Sequence, residues 1–146
     1  AVLSIVEHMV QQVARLPSVT ILRRSSTRDA SLKEILPQIA FADWESQALT
    51  AAIKGAPEAL VVQASSAPLA GHDLGQFIPA LDSLRGAFVD LVYKTPSALL
   101  AAAQKRNIKA QDGLPMLIEQ ARSSQQLWWG KAAAYEVIAA ALSGHR

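Results

Sequence analysis

The stretch Phe88–Gln120, FVDLVYKTPSALLAAAQKRNIKAQDGLPMLIEQ, contains the alternation of elements that decides the fold. It opens with FVDLVY, an apolar and β-branched run with the length of a buried strand. After Thr95-Pro96 comes SALLAAAQKRN, whose alanine and leucine content favours a helix. The short extended piece IKAQ and the turn at Asp112-Gly113 lead into a further helix with apolar periodicity. This order predicts a right-handed βαβ crossover within a parallel sheet.

The same order predicts a ligand site at one edge of the sheet. Tyr93 ends the first strand of the stretch, and the early polar residues of the last helix come just after the second strand. Both are therefore expected at the carboxyl ends of the strands. In open α/β sheets, ligands bind at that edge.

Helices and short apolar strands alternate through the rest of the chain as well. An N-terminal helix is predicted from apolar residues at helical spacing, namely Val2, Ile5, Val6, Met9, Val10 and Val13. A strand VTILRR, a helix ASLKEIL and a brief strand IAF follow, and Asp43 is the expected N-cap of the helix WESQALTAAIKG. After the strand ALVVQAS come a loop, SAPLAGHDLGQ, and an irregular or single-turn segment, FIPALDSLRG. The chain closes with a helix through Trp128-Trp129 and a last helix, AAAYEVIAAAL.

The predicted fold class is therefore α/β, a doubly wound, mostly parallel and Rossmann-like sheet, with residues 1–146 forming a single, partial nucleotide-binding domain. A complete domain of this kind opens with a strand and a glycine-rich turn that meets the pyrophosphate of the cofactor. This chain begins within the first helix, and neither GxGxxG nor GxxxxGKS/T occurs in it. We expect the C-terminal half of a longer protein, lacking the first strand and the glycine-rich loop. Because that strand belongs in the middle of the sheet, a gap is expected, and with it dimerisation or low stability.

The composition excludes several classes of protein. Apolar residues make up 51% of the chain and charged residues 18%, the balance of a globular and not a disordered protein. No apolar run approaches the roughly 18 residues that span a bilayer, and without cysteine there is no disulfide or thiol nucleophile. The net charge of +2 is too small to indicate direct contact with nucleic acid. His8, His72 and His145 are scattered, so no metal site is predicted. No signal peptide is expected, and the predicted location is the cytoplasm.

Seven motifs stand in a recognisable order. DLVY at Asp90–Tyr93, SALL at Ser97–Leu100, DGLPMLIEQA at Asp112–Ala121 and LWWG at Leu127–Gly130 are similar to motifs of the shikimate/quinate dehydrogenase family, in its C-terminal, NADP-binding half. In that family the corresponding motifs are a strand ending in a substrate-side tyrosine, TPLL, DGLGMLxxQA and LWTG. Upstream, VTILRRSSTR and VVQASSAPLAG fall where the family has an Asn-Arg-Thr motif after a strand and a VVNATSxGMxG loop. AVL at Ala1–Leu3 resembles the residues just after the family's glycine-rich loop.

The resemblance implies a cofactor site and a substrate site. The expected NADP-binding residues are Arg23, Arg24, Ser25 and Arg28 at the 2′-phosphate, Ala64, Ser65 and Ser66 near the nicotinamide, and Met116 and Leu117 packed beside it. Tyr93 and Gln120 are expected to face a hydroxylated cyclohexane substrate, shikimate or quinate. Guanidinium groups after the second strand of the fold match a phosphate and favour NADP over NAD. No catalytic residue is assigned to this chain, because the family's catalytic Lys and Asp lie in an N-terminal substrate domain.

Three departures from the family motifs leave the function open. Asn-Arg-Thr is Arg-Arg-Ser at Arg23–Ser25, Asn-Ala-Thr-Ser is Gln-Ala-Ser-Ser at Gln63–Ser66, and the second glycine of GLGML is Pro115. One interpretation is the cofactor half of an NADP-dependent dehydrogenase, inactive as this fragment alone. The alternative is a non-catalytic sensor domain, like that of a fungal quinate-pathway repressor, with a nuclear location. A third is a folded interaction module without a ligand.

Overall fold

The computed structural model describes residues 18–93 and 96–143. Within these residues the chain forms strands β1 to β5, helices α1 to α5 and two 3₁₀ segments. Their order is β1 (Thr20–Arg23), α1 (Asp29–Ile35), β2 (Ala40–Asp43), α2 (Ser46–Gly55), β3 (Leu60–Gln63), the 3₁₀ segments Pro68–Ala70 and Gly75–Ser83, β4 (Ala87–Asp90), α3 (Ala98–Lys105), β5 (Lys109–Gln111), α4 (Leu114–Trp129) and α5 (Tyr135–Ser143). The predicted N-terminal helix lies outside the described residues.

The strands confirm the predicted α/β, Rossmann-like class. Every strand pair in the described part of the chain is parallel: β1 pairs with β2, and β3, β4 and β5 form a second sheet in that order. The predicted β–α–β unit is present as β4, α3 and β5. Among the described residues β1 and β3 pair with different strands and not with each other. In a doubly wound sheet, two such groups of strands lie on either side of a central strand.

The core lies between the three-stranded sheet, α2, α3 and the segment Gly75–Ser83. Helix α3 buries Leu99, Leu100, Ala102 and Ala103 against Phe88 of β4, because small and aliphatic residues recur on its inner face. The segment Gly75–Ser83 was expected to be irregular or a single turn of helix. It is a nine-residue 3₁₀ segment whose Phe77, Ala80 and Leu81 are buried in the same cluster.

Two predicted boundaries were wrong, and an aspartate lies at each of them. Asp43 does not cap α2; it is the last residue of β2, opposite Arg23 of β1, and its carboxylate accepts a hydrogen bond from Nη1 of Arg23 at 2.8 Å. Helix α2 begins three residues later. Strand β4 ends at Asp90 and not at Tyr93, and just beyond it the amide of Val92 donates to the Asp90 side chain.

The last two helices pack mainly on each other. Helix α4 has a proline in its first turn, which is tolerated there, and ends at Gly130 in the left-handed conformation (φ 69°). The predicted last helix begins three residues later than expected. The preceding segment is held instead by α4, since Gln125 accepts from the Ala133 amide and Arg122 donates to the Ala133 carbonyl. No helix in the described ranges has the length and apolar content to cross a membrane.

Candidate functional site

The loops that follow β3, β4 and β5 leave the same edge of one sheet. Register sets this alignment, since Gln63 at the end of β3 lies opposite Asp90 at the end of β4, and Val89 lies opposite Gln111 at the end of β5. Neighbouring strands are about 4.8 Å apart. The residues just after these strands are therefore brought together, as the sequence predicted for this edge.

The loop after β3 is held by the last side chain of that strand. Oε1 of Gln63 accepts a hydrogen bond from the amide of Ser65, and Nε2 donates to the Ser65 carbonyl at 3.2 Å. Ala64 and Ser65 are half-buried, and Ser66 is exposed. Gln63 stands where the resembling family has asparagine, and here it bonds to the backbone of its own loop.

The substrate-side candidates lie at the ends of β4 and β5. Tyr93 is three residues beyond β4 and 38% exposed. The turn before α4 packs against the backbone that precedes Tyr93: the Gly113 amide donates to the Val92 carbonyl at 3.2 Å, and a Cβ on Gly113 would lie 2.3 Å from the Leu91 carbonyl oxygen. Glycine is therefore required at this close approach.

Helix α4 carries the remaining candidates. Met116 and Leu117 lie in its first two turns and are half-buried, while Gln120 is exposed one turn further along. Helix α4 starts at the sheet edge directly after β5, and each further turn lies about 5.4 Å from the one before.

The loop after β1 contains two adjacent arginines in different surroundings. Nε of Arg23 donates to both carboxylate oxygens of Asp29, at 3.0 and 2.8 Å, and Nη1 donates to Asp43. The hydrogen bond to Asp29, and then that to Asp43, raises the pKa of Arg23 above its ordinary value. The guanidinium also lies 5.6 Å from the centre of the Phe41 ring. Two carboxylates thus compensate the charge of Arg23.

Arg24 is exposed, and no carboxylate in the described part of the chain pairs with it. Among the described residues, none of the salt bridges includes Arg24 or Arg28. The Arg24 guanidinium lies 5.8 Å from the centre of the Trp44 ring, and Trp44 packs edge-on against Phe77 of the core at 5.0 Å. The core therefore supports the position of Arg24 through a cation–π contact.

Hydroxyl groups lie next to these cations. Ser25 and Thr27 share a hydrogen bond between their hydroxyl oxygens at 2.7 Å, and the Thr27 amide donates to Oγ of Ser25. Arg28 is exposed immediately before α1. Exposed guanidinium groups with hydroxyl donors beside them are the donor set that binds a phosphate group.

Asp90 also belongs to this site, although its sequence motif predicted no role for it. Asp90 is completely buried and accepts hydrogen bonds from Gln63, Val92 and Ser97. A signal was present in the run FVDLVY, because strand alternation places Asp90 on the same face as the buried Phe88. A charged residue type at a core-facing position is uncommon and indicates a specific set of partners. Within the described residues no cluster of metal-ligating side chains is present.

The sequence of this chain is similar to those of known proteins. No protein-family model matches the chain. The chain is 35% identical over 139 residues to a shikimate dehydrogenase (NADP(+)) of Acidiphilium cryptum, an alignment that covers 86% of this chain and 46% of that protein. A second shikimate dehydrogenase (NADP(+)), from Rhodopseudomonas palustris, is 33% identical over 130 residues, with 88% and 44% covered. The chain is related to the shikimate dehydrogenases.

Solved structures agree on the fold. The shikimate dehydrogenase of Mycobacterium tuberculosis superimposes with a TM-score of 0.71 at 23% identity, over 88% of this chain and 48% of that one. The relationship is to the Rossmann-like, C-terminal half of the shikimate dehydrogenases. The chain spans about half the length of the curated relatives it matches.

Proposed function

We propose that this chain is the NADP-binding half of a dehydrogenase that acts on shikimate or quinate. The observation that carries the proposal is the 35% identity, over 86% of the chain, to a shikimate dehydrogenase (NADP(+)). In the intact protein the reaction is hydride transfer between NADP and a secondary alcohol on a cyclohexane ring. This chain alone is inactive in the proposal, because the catalytic Lys and Asp belong to the other half.

The 2′-phosphate of NADP is proposed to bind in the loop after β1. Arg24 and Arg28 supply exposed guanidinium groups, and Ser25 supplies a hydroxyl donor. The surroundings of Arg23 favour a supporting position for it, because two carboxylates already use its donors. Arg23 then orders the loop by joining β1, β2 and α1, and its neighbour contacts the phosphate.

The nicotinamide end is proposed to lie over the loop after β3. Ala64, Ser65 and Ser66 line one side, and Met116 and Leu117 supply apolar contacts on the other. When bound, the cofactor accepts or donates the hydride, and the protein contributes orientation and the exclusion of water. The hydroxyl of Tyr93 and the amide of Gln120 are proposed to bind the substrate's hydroxyl or carboxylate oxygens.

The partner of this half is proposed to be a substrate domain in the same polypeptide. The relatives are about twice as long as the matched region. A surface that suits such a partner is formed by the last turn of α4, where Leu127, Trp128 and Trp129 are 82%, 70% and 66% exposed. Successive helical residues differ by about 100°, so these three cover roughly 200° of the helix circumference. Apolar residues exposed on so many sides are typical of a segment that a second domain surrounds.

Binding calorimetry of the full-length protein tests the cofactor assignment. We expect NADPH to bind about tenfold or more tightly than NADH, since a charge-assisted contact to the extra phosphate is worth about 1.5 kcal/mol or more. Equal affinities would remove the 2′-phosphate site from the proposal. Absence of binding by both nucleotides would reject the cofactor-binding function altogether.

The alternative is a sensor that retains the fold without the reaction, as in a quinate-pathway repressor. The substitutions at Arg23 and Gln63 favour it, because both side chains are engaged within the protein and not directed to a ligand. A sensor would bind shikimate or quinate in calorimetry without turnover at any NADP concentration. A cytoplasmic location belongs to the dehydrogenase proposal, and a nuclear one to the repressor.

A further inference from the structure

A buried carboxyl group lies beneath the two loops that the proposed function uses. Asp90 is the last residue of β4, and its side chain is 0% exposed. Oδ1 accepts hydrogen bonds from the Val92 amide at 3.0 Å and from Nε2 of Gln63 at 3.3 Å. Oδ2 accepts a hydrogen bond from Oγ of Ser97. The three donors belong to three different parts of the fold: the end of β3, the loop after β4, and the start of α3.

The residues that donate to Asp90 are themselves bonded to further segments of the fold. Gln63 bonds twice to the backbone of Ser65, so the cofactor-side loop is two hydrogen bonds away from Asp90. Val92 is adjacent to Tyr93, and its carbonyl accepts the amide of Gly113 at the start of α4. The cofactor-side and substrate-side loops are thus both attached to one side chain.

The third donor fixes the helix behind the loops. Ser97 is the N-cap of α3, and its Oγ accepts from the Leu100 amide at 3.1 Å while donating to Asp90. In the described residues every buried polar side-chain atom has a partner. A fully satisfied buried network of this kind is rigid, because releasing any member leaves an unpaired group in the core.

We infer that Asp90 is the positioning residue that sets the distance between the nicotinamide and the substrate in the dehydrogenase. This inference rests on the proposed function. Hydride transfer requires reacting atoms about 3–3.5 Å apart, and a misplacement near 1 Å costs on the order of a hundredfold in rate. Asp90 touches neither ligand. Its loss therefore changes the relative placement of the two loops more than it changes the affinity of the protein for either ligand.

The test compares Asp90→Ala, Asp90→Asn and a control, Ile53→Val, in the full-length protein. Ile53 is 2% exposed in α2, and its aliphatic side chain makes none of the hydrogen bonds of the network, so it reports ordinary loss of packing. Asp90→Asn keeps the shape and one acceptor oxygen, and its amide can donate to Ser97. With Asp90→Ala we expect kcat to fall about a hundredfold while the KM for NADP stays within about threefold. We expect Asp90→Asn to recover most of kcat, and Ile53→Val to lower the melting temperature alone.

Hydrogen exchange at the Ser65 amide gives a second readout that needs no activity. Asp90→Ala should speed this exchange about tenfold or more, because Gln63 loses its anchor. If Asp90→Ala fails to fold, Gln63→Met removes the bonds of Gln63 to Asp90 and to the Ser65 backbone, leaves Asp90 bonded to Val92 and Ser97, and should give the same exchange and kcat effects. Unchanged Ser65 exchange in either folded variant overturns the inference, as does a KM increase that matches the loss of kcat. If the full-length protein binds no NADP, the proposed function is rejected instead. The exchange rate at the Ser65 amide then still shows whether Asp90 holds the loop after β3.

Discussion

Arg23 and Arg24 are adjacent in sequence and have opposite surroundings. The first contacts Asp29, Asp43 and the Phe41 ring, and the second extends over Trp44 with no acidic partner among residues 18–93 and 96–143. Because hydrogen bonds raise the pKa of a group that is already basic, Arg23 stays charged throughout the neutral range, and the stability it contributes is lost only at strongly alkaline pH. An anionic ligand is therefore expected to contact Arg24 first.

The first prediction concerns Arg24→Ala in the full-length protein. We expect the affinity for NADPH to fall about 10- to 100-fold and the affinity for NADH to stay unchanged, since a charged hydrogen bond is worth about 1.5–3 kcal/mol. Calorimetric titration with both nucleotides measures this. Lys54→Ala, at an exposed lysine in the last turn of α2, is the matched control. Equal losses for both nucleotides would assign Arg24 to another part of the cofactor.

The second prediction concerns Gly113→Ala. The added Cβ would meet the Leu91 carbonyl oxygen at 2.3 Å, so the backbone before Tyr93 must move. We expect the free energy of unfolding to fall by about 1–3 kcal/mol, the usual cost of overpacking. Gly55→Ala in α2 is the control, because nothing lies within 4 Å of its added Cβ, and it should be neutral or slightly stabilising. Denaturant unfolding of both variants measures this difference, and equal free energies of unfolding would contradict the close approach of Gly113 to Leu91.

The local sequence identified Arg24 as a candidate for phosphate binding, but it could not show that Arg23 beside it is paired with carboxylates. The carboxylate of Asp43 lies twenty positions further along the chain and reaches Arg23 only through the register of β1 and β2. The same limit applies to Asp90, whose partner Gln63 comes from the neighbouring strand. Contacts across strands depend on register, and local sequence patterns carry no direct record of it.

At the scale of elements, helices were easier to predict than their ends. The helices α2, α3 and α4 occur in the segments where the sequence predicted them, and Ser97 caps α3. Strand β4 and helix α2 were bounded wrongly at two aspartates: Asp90 accepts from the Val92 amide two residues further on, and Asp43 bonds to Arg23 of the neighbouring strand. The segment Gly75–Ser83 was underestimated because tertiary burial of Phe77 and Leu81 stabilises a helix that its local sequence does not favour.

The third prediction concerns the end of α4. The two indoles at Trp128 and Trp129 are 70% and 66% exposed in this chain, on the order of 300 Å² of aromatic surface. If the substrate domain covers them, changing both to serine in the full-length protein should lower the free energy of unfolding by about 3 kcal/mol or more. Lys105→Ala in α3 is an exposed control. A full-length protein of unchanged stability would show that this surface remains in solvent.

At the scale of the molecule, the division into two sheets is the main departure from a complete Rossmann-like fold. The described residues of β1 and β3 have a strand neighbour on one side each. Leu60 and Val62 of β3 are 54% and 36% exposed, so this edge combines unpaired backbone groups with apolar side chains. Such an edge favours pairing with another chain.

The fourth prediction follows from that edge. In sedimentation experiments this chain should associate with increasing concentration, or else unfold at low denaturant with poor cooperativity. Leu60→Lys places a charge on the edge strand and should reduce the association, while Leu69→Lys, 72% exposed in the first 3₁₀ segment, should leave it unchanged. A monomer that unfolds cooperatively would contradict the prediction.

The alternation of strands and helices was enough to predict the fold class, and the quoted motifs were enough to predict the family relationship. Among the described residues β1 and β3 do not pair with each other. The hydrogen-bond network around Asp90 was not predictable, because it joins β3, the loop after β4 and α3 through groups far apart in the chain.

The most direct measurement is the steady-state reduction of NADP by the full-length protein, with shikimate and quinate offered separately. The proposed function predicts turnover with one of them, and a loss of about tenfold or more with Tyr93→Phe or Gln120→Ala. No turnover with either alcohol, in a protein that still binds one of them in calorimetry, would contradict the dehydrogenase and support a sensor with the same fold.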